Sequence, residues 1–399
     1  MISFEKAYGL VLEHCRNFGT EKVPLEEAGG RVLAEAVYAD RDFPPSDRAT
    51  RDGIVISYRA VEKGRVAFEV DGVLAAGDPI SILRHEDLCM EIMTGAVIPY
   101  DADTVVMYEN LDLSHGIARM NTSPKKGQNI HSKGSDRKKG ELVLKENTRI
   151  ASQDIGILAS VGHSEVLVKK LPAIAVISTG DELVEVNKTP LPHQVRTSNA
   201  YQLYAALREE GIKPVLLHVA DDKDMIRQKL SYAISEMDLL LLSGGVSKGK
   251  FDYIPDILEE LEVEKVFHKV LQQPGKPFWF GKQKTSGTLI FSFPGNPVST
   301  YVCYYRYFRD WLCKSLGLPV MEIDVNLGET IVARGDLTGF IGVKIRKEQG
   351  KLVATRTKSN GSGDLCSLAE TDGFICLSPR EAPYNSGIAV PFIPTRKLF

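Results

Sequence analysis

The sequence predicts a multidomain α/β and β protein, with a helical N-terminal region, an inserted β-rich domain, a parallel-sheet α/β domain and a C-terminal β domain. Three observations carry this. Apolar runs at residues 174–177, 215–219, 239–242 and 289–291 alternate with helical patterns at 199–210, 223–235 and 253–261, which indicates a parallel sheet covered on both faces. Between residues 43 and 137, short apolar runs such as Val66-Ala67-Phe68-Glu69-Val70 and Thr104-Val105-Val106-Met107 are separated by Gly, Pro and Asp, the pattern of a small β-rich domain. After Leu318-Pro319, short alternating strands resume as far as Phe399.

Taken in order, residues 3–37 read as helical, with Ala7, Leu10, Val11 and His14 on one face and Leu25, Ala28, Val32 and Leu33 on another. Asp42-Phe43-Pro44-Pro45 stops that pattern, and helical character returns at Ser152-Gln153-Asp154-Ile155-Gly156-Ile157-Leu158-Ala159. The expected boundaries are therefore 1–42 plus 138–170, 43–137, 171–318 and 319–399.

A chain of 399 residues, 43% of them hydrophobic, is long enough for roughly two to four domains, each with its own core. Lys and Arg total 49 against 52 Asp and Glu, so the formal charge of −3 sets up no global field for nucleic acid, and an anion must be met locally. The six cysteines are dispersed without a C-x-x-C pair, which argues against a zinc site or disulfide framework and fits a reducing, cytoplasmic setting. The N-terminus lacks the apolar stretch of a signal peptide, and no run approaches the ~18 apolar residues of a membrane span.

The chemistry concentrates where strands of the α/β segment end. Ser178-Thr179-Gly180-Asp181-Glu182-Leu183 places two carboxylates at a glycine turn, and open α/β sheets bind ligands at the carboxyl ends of such strands. Asp221 follows one further apolar run and Asp252 follows the Gly-Gly loop after another, so parallel strands would bring all four acids to one edge. Asp181, Glu182 and Asp252 are the candidate ligands of Mg²⁺, which takes few carboxylates together with water and substrate phosphate. Helix capping is the structural reading of any one of them.

In Ser243-Gly244-Gly245-Val246-Ser247, two missing side chains let backbone N–H groups approach a ligand, although a plain tight turn reads the same way. In Pro294-Gly295-Asn296-Pro297-Val298-Ser299, Asn296 is placed to cap a helix that begins at Pro297, whose freed N–H groups suit an anion. Lys269 and Lys276 bracket a Pro-Gly turn and are candidates for neutralising phosphate or an oxyanion. No Ser-His-Asp arrangement and no G-x-x-x-x-G-K-[ST] loop is present, which disfavours hydrolase and P-loop readings.

Together these motifs resemble the molybdopterin molybdenumtransferase family, the MoeA proteins and gephyrin E domains, over nearly the whole chain. The resemblance also takes in Arg51-Asp52-Gly53, Met93-Thr94-Gly95-Ala96, Gly127-Gln128-Asn129-Ile130 with Gly134-Ser135-Asp136, and Pro274-Gly275-Lys276-Pro277. It implies a molybdopterin-binding α/β domain and insertion of molybdenum from molybdate into adenylylated molybdopterin, with Mg²⁺-assisted release of AMP. It further implies a homodimer, with Asp181, Glu182, Asp221 and Asp252 in the α/β site, Asp52, Thr94 and Asp136 on the partner's face, and a functional serine at Ser362. The resemblance also admits a molybdopterin adenylyltransferase as a partner. The alternatives are adenylyl transfer itself, since that shorter relative shares the TGDEL and GGVS elements, and a gephyrin-like scaffold.

Two positions depart from the family pattern. Gln273 stands where many relatives have lysine, and Ile341 falls where the bacterial pattern has arginine. Both changes remove positive charge from the molybdate side that the resemblance implies; either molybdate binds weakly here, or Lys276, Lys344 or Arg346 takes over.

Overall fold

A computed structural model describes residues 1–245, 253–333 and 335–396. Ser247 and Asp252 lie outside the described residues. The chain divides into two compact units, one of residues 1–21, 30–32 and 168–399, the other of residues 22–29 and 33–167.

At the centre of the first unit, four strands, Val215–Val219, Ile174–Thr179, Leu239–Ser243 and Leu289–Phe293, lie side by side in that order and run parallel. Alternation along the strands sends residues to opposite faces. Val176, Leu239, Leu241 and Phe291 pack with Leu203 and Leu207 of helix Ser198–Glu209. Ala175, Ile177, Leu240, Leu242 and Ile290 pack with Ile226 and Leu230 of helix Lys223–Glu236 and with Ile257 and Leu258 of helix Ile254–Glu260. With both faces covered, the strands need continuous apolar sequence, and that is how they read.

Two further strands, Trp279–Gln283 and Val263–His268, extend the sheet antiparallel to their neighbours, so it is mixed rather than purely parallel. Lys265 and Lys282 interrupt their hydrophobic pattern, which hides them in the sequence.

Five strands, Thr338–Glu348, Lys351–Arg356, Ile323–Leu327, Ala389–Pro394 and Gly373–Leu377, close on themselves because the first pairs with both the second and the last. This barrel is the C-terminal β element. Strand Val270–Gln273 leaves the α/β sheet to pair with it through Gln272 and Thr338, and Ile2–Ser3 pairs with Val270 and Leu271 in turn.

The N-terminal helix spans Phe4–Glu13, capped by Ser3 Oγ, which accepts from Lys6 N at 3.2 Å. The helical reading of residues 14–37 is corrected: Thr20–Pro24 is a strand and Leu25–Glu27 a single 3₁₀ turn. Gly19 and Gly30, both at positive φ, break the chain on either side, and Val32 and Leu33 are buried without a helix to carry them.

In the second unit the sheet order is Thr104–Met107, Gly53–Ile56, Leu88–Ile92, Ala67–Leu74, Ile117–Met120 and Leu111–Ser114. Its core is Ile54, Ile56, Phe68, Cys89, Val106 and Ala118, so this segment is β-rich as expected. Helix Ser152–Ser160 also forms here.

Candidate active site

The strand order places a topological switch between Ile174–Thr179 and Leu239–Ser243, where the chain leaves for opposite sides of the sheet. Register aligns Ser178 with Ser243, Thr179 with Val219, and Ser243 with Phe293, so all four strands end at one level. Gly180-Asp181-Glu182, Ala220-Asp221, Gly244-Gly245 and Pro294-Gly295-Asn296 therefore emerge at one edge.

The loops there touch. A Cβ on Gly244 would lie 3.2 Å from Thr179 O, and one on Gly245 would lie 3.0 Å from Thr179 Oγ1, so the close approach requires both glycines. Both also have positive φ. Asp181 Oδ1 accepts from Asp221 N at 3.0 Å, which joins two of the acidic positions directly. Glu182 folds back over Gly180, whose Cβ would meet the carboxylate carbon at 2.7 Å. Asp181 and Glu182 are both exposed.

Asn199 escaped sequence reasoning because it reads only as part of a helical pattern. Its Nδ2 instead donates to Ser243 Oγ at 2.8 Å and to Gly295 O at 2.7 Å, holding two of the strand-end loops together.

Asn296 occupies the capping position of helix Pro297–Cys303 but makes no side-chain cap bond. Its Nδ2 donates to Ser362 Oγ at 2.8 Å, and Val298 N donates to Ser362 O at 3.1 Å. One of the freed N–H groups at this helix start is thus already occupied. Pro294 and Ser299 are buried, and Pro294 O accepts from Thr300 Oγ1 at 2.6 Å.

Beside this edge lies a cleft of about 1080 Å³. Its lining includes Gln273, Lys276, Val298, Ile341, Arg356, Lys358 and Ser362. Both departures from the family pattern, Gln273 and Ile341, therefore face the same space as Ser362 and Lys276. Lys344 is exposed on its strand opposite Thr355 and is not part of that lining, nor is Lys269. Main-chain bonds from Lys269 N to Phe278 O at 3.0 Å and from Val270 N to Lys276 O at 2.9 Å close the turn between the two lysines.

The turn is backed by a buried polar group that sequence reasoning also missed. Gln272 is fully buried, accepts from Tyr307 Oη, and donates to Pro274 O at 3.1 Å. Burial pushes the pKa of the neighbouring Cys303 thiol up, which keeps it protonated.

In the other unit, Asp52 Oδ1 accepts from Thr94 N at 2.6 Å and from Thr94 Oγ1 at 2.7 Å. Those bonds, the backbone one foremost, hold the Asp52 carboxyl below its ordinary pKa. Asp136 Oδ1 lies 2.8 Å from His131 Nε2 and lines a pocket of about 380 Å³ with Arg41 and Arg48. Strand Arg48–Ala49 ties these motifs together, pairing with Ile130–His131 and accepting at Ala49 O from Gly95 N at 2.8 Å.

Comparison with known proteins follows this geometry segment by segment. The family model described as MoeA N-terminal region (domain I and II) matches residues 2–162, and that for MoeA C-terminal region (domain IV) matches residues 324–395. Between them, residues 175–314 match the probable molybdopterin binding domain. A molybdopterin molybdenumtransferase from Synechocystis sp. is 38% identical over 98% of this chain and 99% of its own length.

This chain belongs to the molybdopterin molybdenumtransferase family.

A Bacillus subtilis member of the family is 31% identical over 95% of this chain and 90% of its own length. Among solved structures, a molybdopterin biosynthesis MoeA protein from Pyrococcus horikosii covers 100% of both chains at 28% identity with a TM-score of 0.83. Among the described residues, no helix is long and apolar enough to cross a membrane.

Proposed function

We propose that this enzyme transfers molybdenum from molybdate to adenylylated molybdopterin and releases AMP, as a step in molybdenum cofactor biosynthesis. The observation that carries the reading is the place of Ser362, bonded to Asn296 at the strand-end edge and lining the large cleft. A substrate with a nucleotide at one end and a pterin dithiolene at the other needs a phosphate-binding edge next to a roomy, partly cationic chamber.

The donor set at the strand ends fits Mg²⁺. Among the described residues no group of three or more His, Cys, Asp or Glu forms a cage, and Mg²⁺ is commonly held by one or two carboxylates with water and substrate phosphate. Asp181 Oδ1 is engaged by Asp221 N, so Oδ2 is the oxygen left for a cation. Asp181 and Glu182, with Asp252 outside the described residues, are the proposed ligands. When bound, the ion neutralises charge on the phosphoanhydride oxygens. The chain's own groups do the rest: Gly244 and Gly245 admit the phosphates to the main chain, while Lys269 and Lys276 stabilise developing oxyanions.

For assembly we propose a homodimer in which Asp52, Thr94 and Asp136 are contributed by the second copy, with a molybdopterin adenylyltransferase as the supplier of substrate. The four sequence segments, 1–42 plus 138–170, 43–137, 171–318 and 319–399, are its proposed domains. Incubation with adenylylated molybdopterin, Mg²⁺ and molybdate tests the function. AMP release that depends on both Mg²⁺ and molybdate is expected, and an intact adenylylated pterin after incubation contradicts the reading.

A further inference from the structure

The large cleft is chemically uneven. Its lining at Gln273, Gly339 and Ile341 carries no charge, whereas Lys276, Arg356 and Lys358 bring three cations to it. Arg356 ends strand Lys351–Arg356, and Thr357 N still donates to Gly342 O at 2.9 Å, so the chain stays extended through this point. Alternation then turns residues 356 and 358 to one side. The Thr357 hydroxyl turns away from them, to Gly342 O at 2.9 Å and Thr371 Oγ1 at 3.1 Å.

Among the described residues, none of these three cations is in a salt bridge. The lining carboxylate, Glu329, is turned to the main chain, where Oε1 accepts from Arg356 N at 3.0 Å. The segment that follows is stitched in place by Asn360 N to Asp364 Oδ2 at 3.0 Å and Gly361 N to Ser359 Oγ at 3.2 Å. It delivers Ser362 into the same space.

We propose that Arg356 and Lys358, together with Lys276, bind the tetrahedral oxyanion dianion in this cleft, so that recognition rests on the 356–358 segment and not on the Gln273 and Ile341 part of the lining. The inference rests on the molybdenum-transfer reading. A phosphate dianion shares the chemistry of molybdate, so sodium molybdate and AMP are the two probes, titrated calorimetrically into the full chain at fixed ionic strength.

The Arg356→Ala/Lys358→Ala double variant is expected to bind molybdate at least about ten-fold more weakly, as befits lost charge-assisted hydrogen bonds, with AMP affinity unchanged. Arg356→Lys, which keeps the charge, is expected to retain most molybdate binding. A double variant that binds molybdate as the wild type does, or that loses AMP to the same degree, overturns the assignment. A wild type that binds no molybdate overturns the assignment, whereas the transfer reading stands or falls on AMP release with adenylylated molybdopterin, Mg²⁺ and molybdate.

Discussion

Asn296 Nδ2 donates to Ser362 Oγ across 2.8 Å, joining the loop after the central strand Leu289–Phe293 to the segment that precedes the barrel strand Gly373–Leu377. The two residues are 66 positions apart. A capping asparagine is thereby diverted from its own helix to fix a serine in the lining of the large cleft.

Ser362→Ala removes this bond but leaves the main-chain bond from Val298 N to Ser362 O. The loss of one neutral hydrogen bond, about 0.5–1.5 kcal/mol, should lower kcat/KM for AMP release by roughly two- to ten-fold. Steady-state kinetics check this, and an unchanged rate would show that Ser362 only packs.

Asp181→Asn retains the Oδ1 acceptor for Asp221 N while removing the charge. AMP release should fall and its Mg²⁺ requirement should rise. The melting temperature should move by no more than about 2 °C, as for a surface substitution. A collapsed melting temperature with full activity would assign the residue to the fold.

Gly275 has a φ of +97°, and a Cβ there would press against Gln272 Nε2 and lie 2.8 Å from Cys303 Sγ. Gly275→Ala should cost about 1–3 kcal/mol in urea denaturation through backbone strain and overpacking. It should also raise the molybdate requirement by shifting Lys276. Stability within about 0.5 kcal/mol of wild type would mean that the buried glutamine yields freely.

Asp52 provides a pH test. Its pKa is depressed in the folded protein, chiefly by the Thr94 N–H and then by the Thr94 hydroxyl. Its contribution to stability is therefore present above the unfolded value of about 3.9 and is lost as pH falls through the lower folded value. An NMR titration should place the Asp52 carboxyl below that ordinary value. In Thr94→Val, which keeps the backbone donor and removes the hydroxyl, it should rise part of the way back. A midpoint that does not move would show that the hydroxyl plays no part.

The sequence was most legible where one residue type served both fold and site. Fully buried parallel strands must be apolar throughout, so Ile174–Thr179 and Leu239–Ser243 declare themselves, and the polar residues that follow mark the edge. Partners brought together by distant chain were not legible. Gln272 reads as an ordinary polar residue until Tyr307, 35 positions on, satisfies it in the core. Asn199 reads as an ordinary helix residue until it bridges Ser243 and Gly295. Lys344 and Arg356 look equivalent in sequence, but only Arg356 is carried by its strand to the cleft. The helical pattern at residues 25–33 failed because Gly29-Gly30 lets the buried Val32 and Leu33 reach the core from a turn.

On the proposed mechanism, AMP release and molybdenum insertion are one coupled event. Mass spectrometry of the pterin product beside quantified AMP, after incubation with adenylylated molybdopterin, Mg²⁺ and molybdate, measures this coupling. One molybdenum incorporated per AMP released is expected, with little AMP when molybdate is omitted. AMP released at the full rate without molybdate, with a product free of molybdenum, would contradict it.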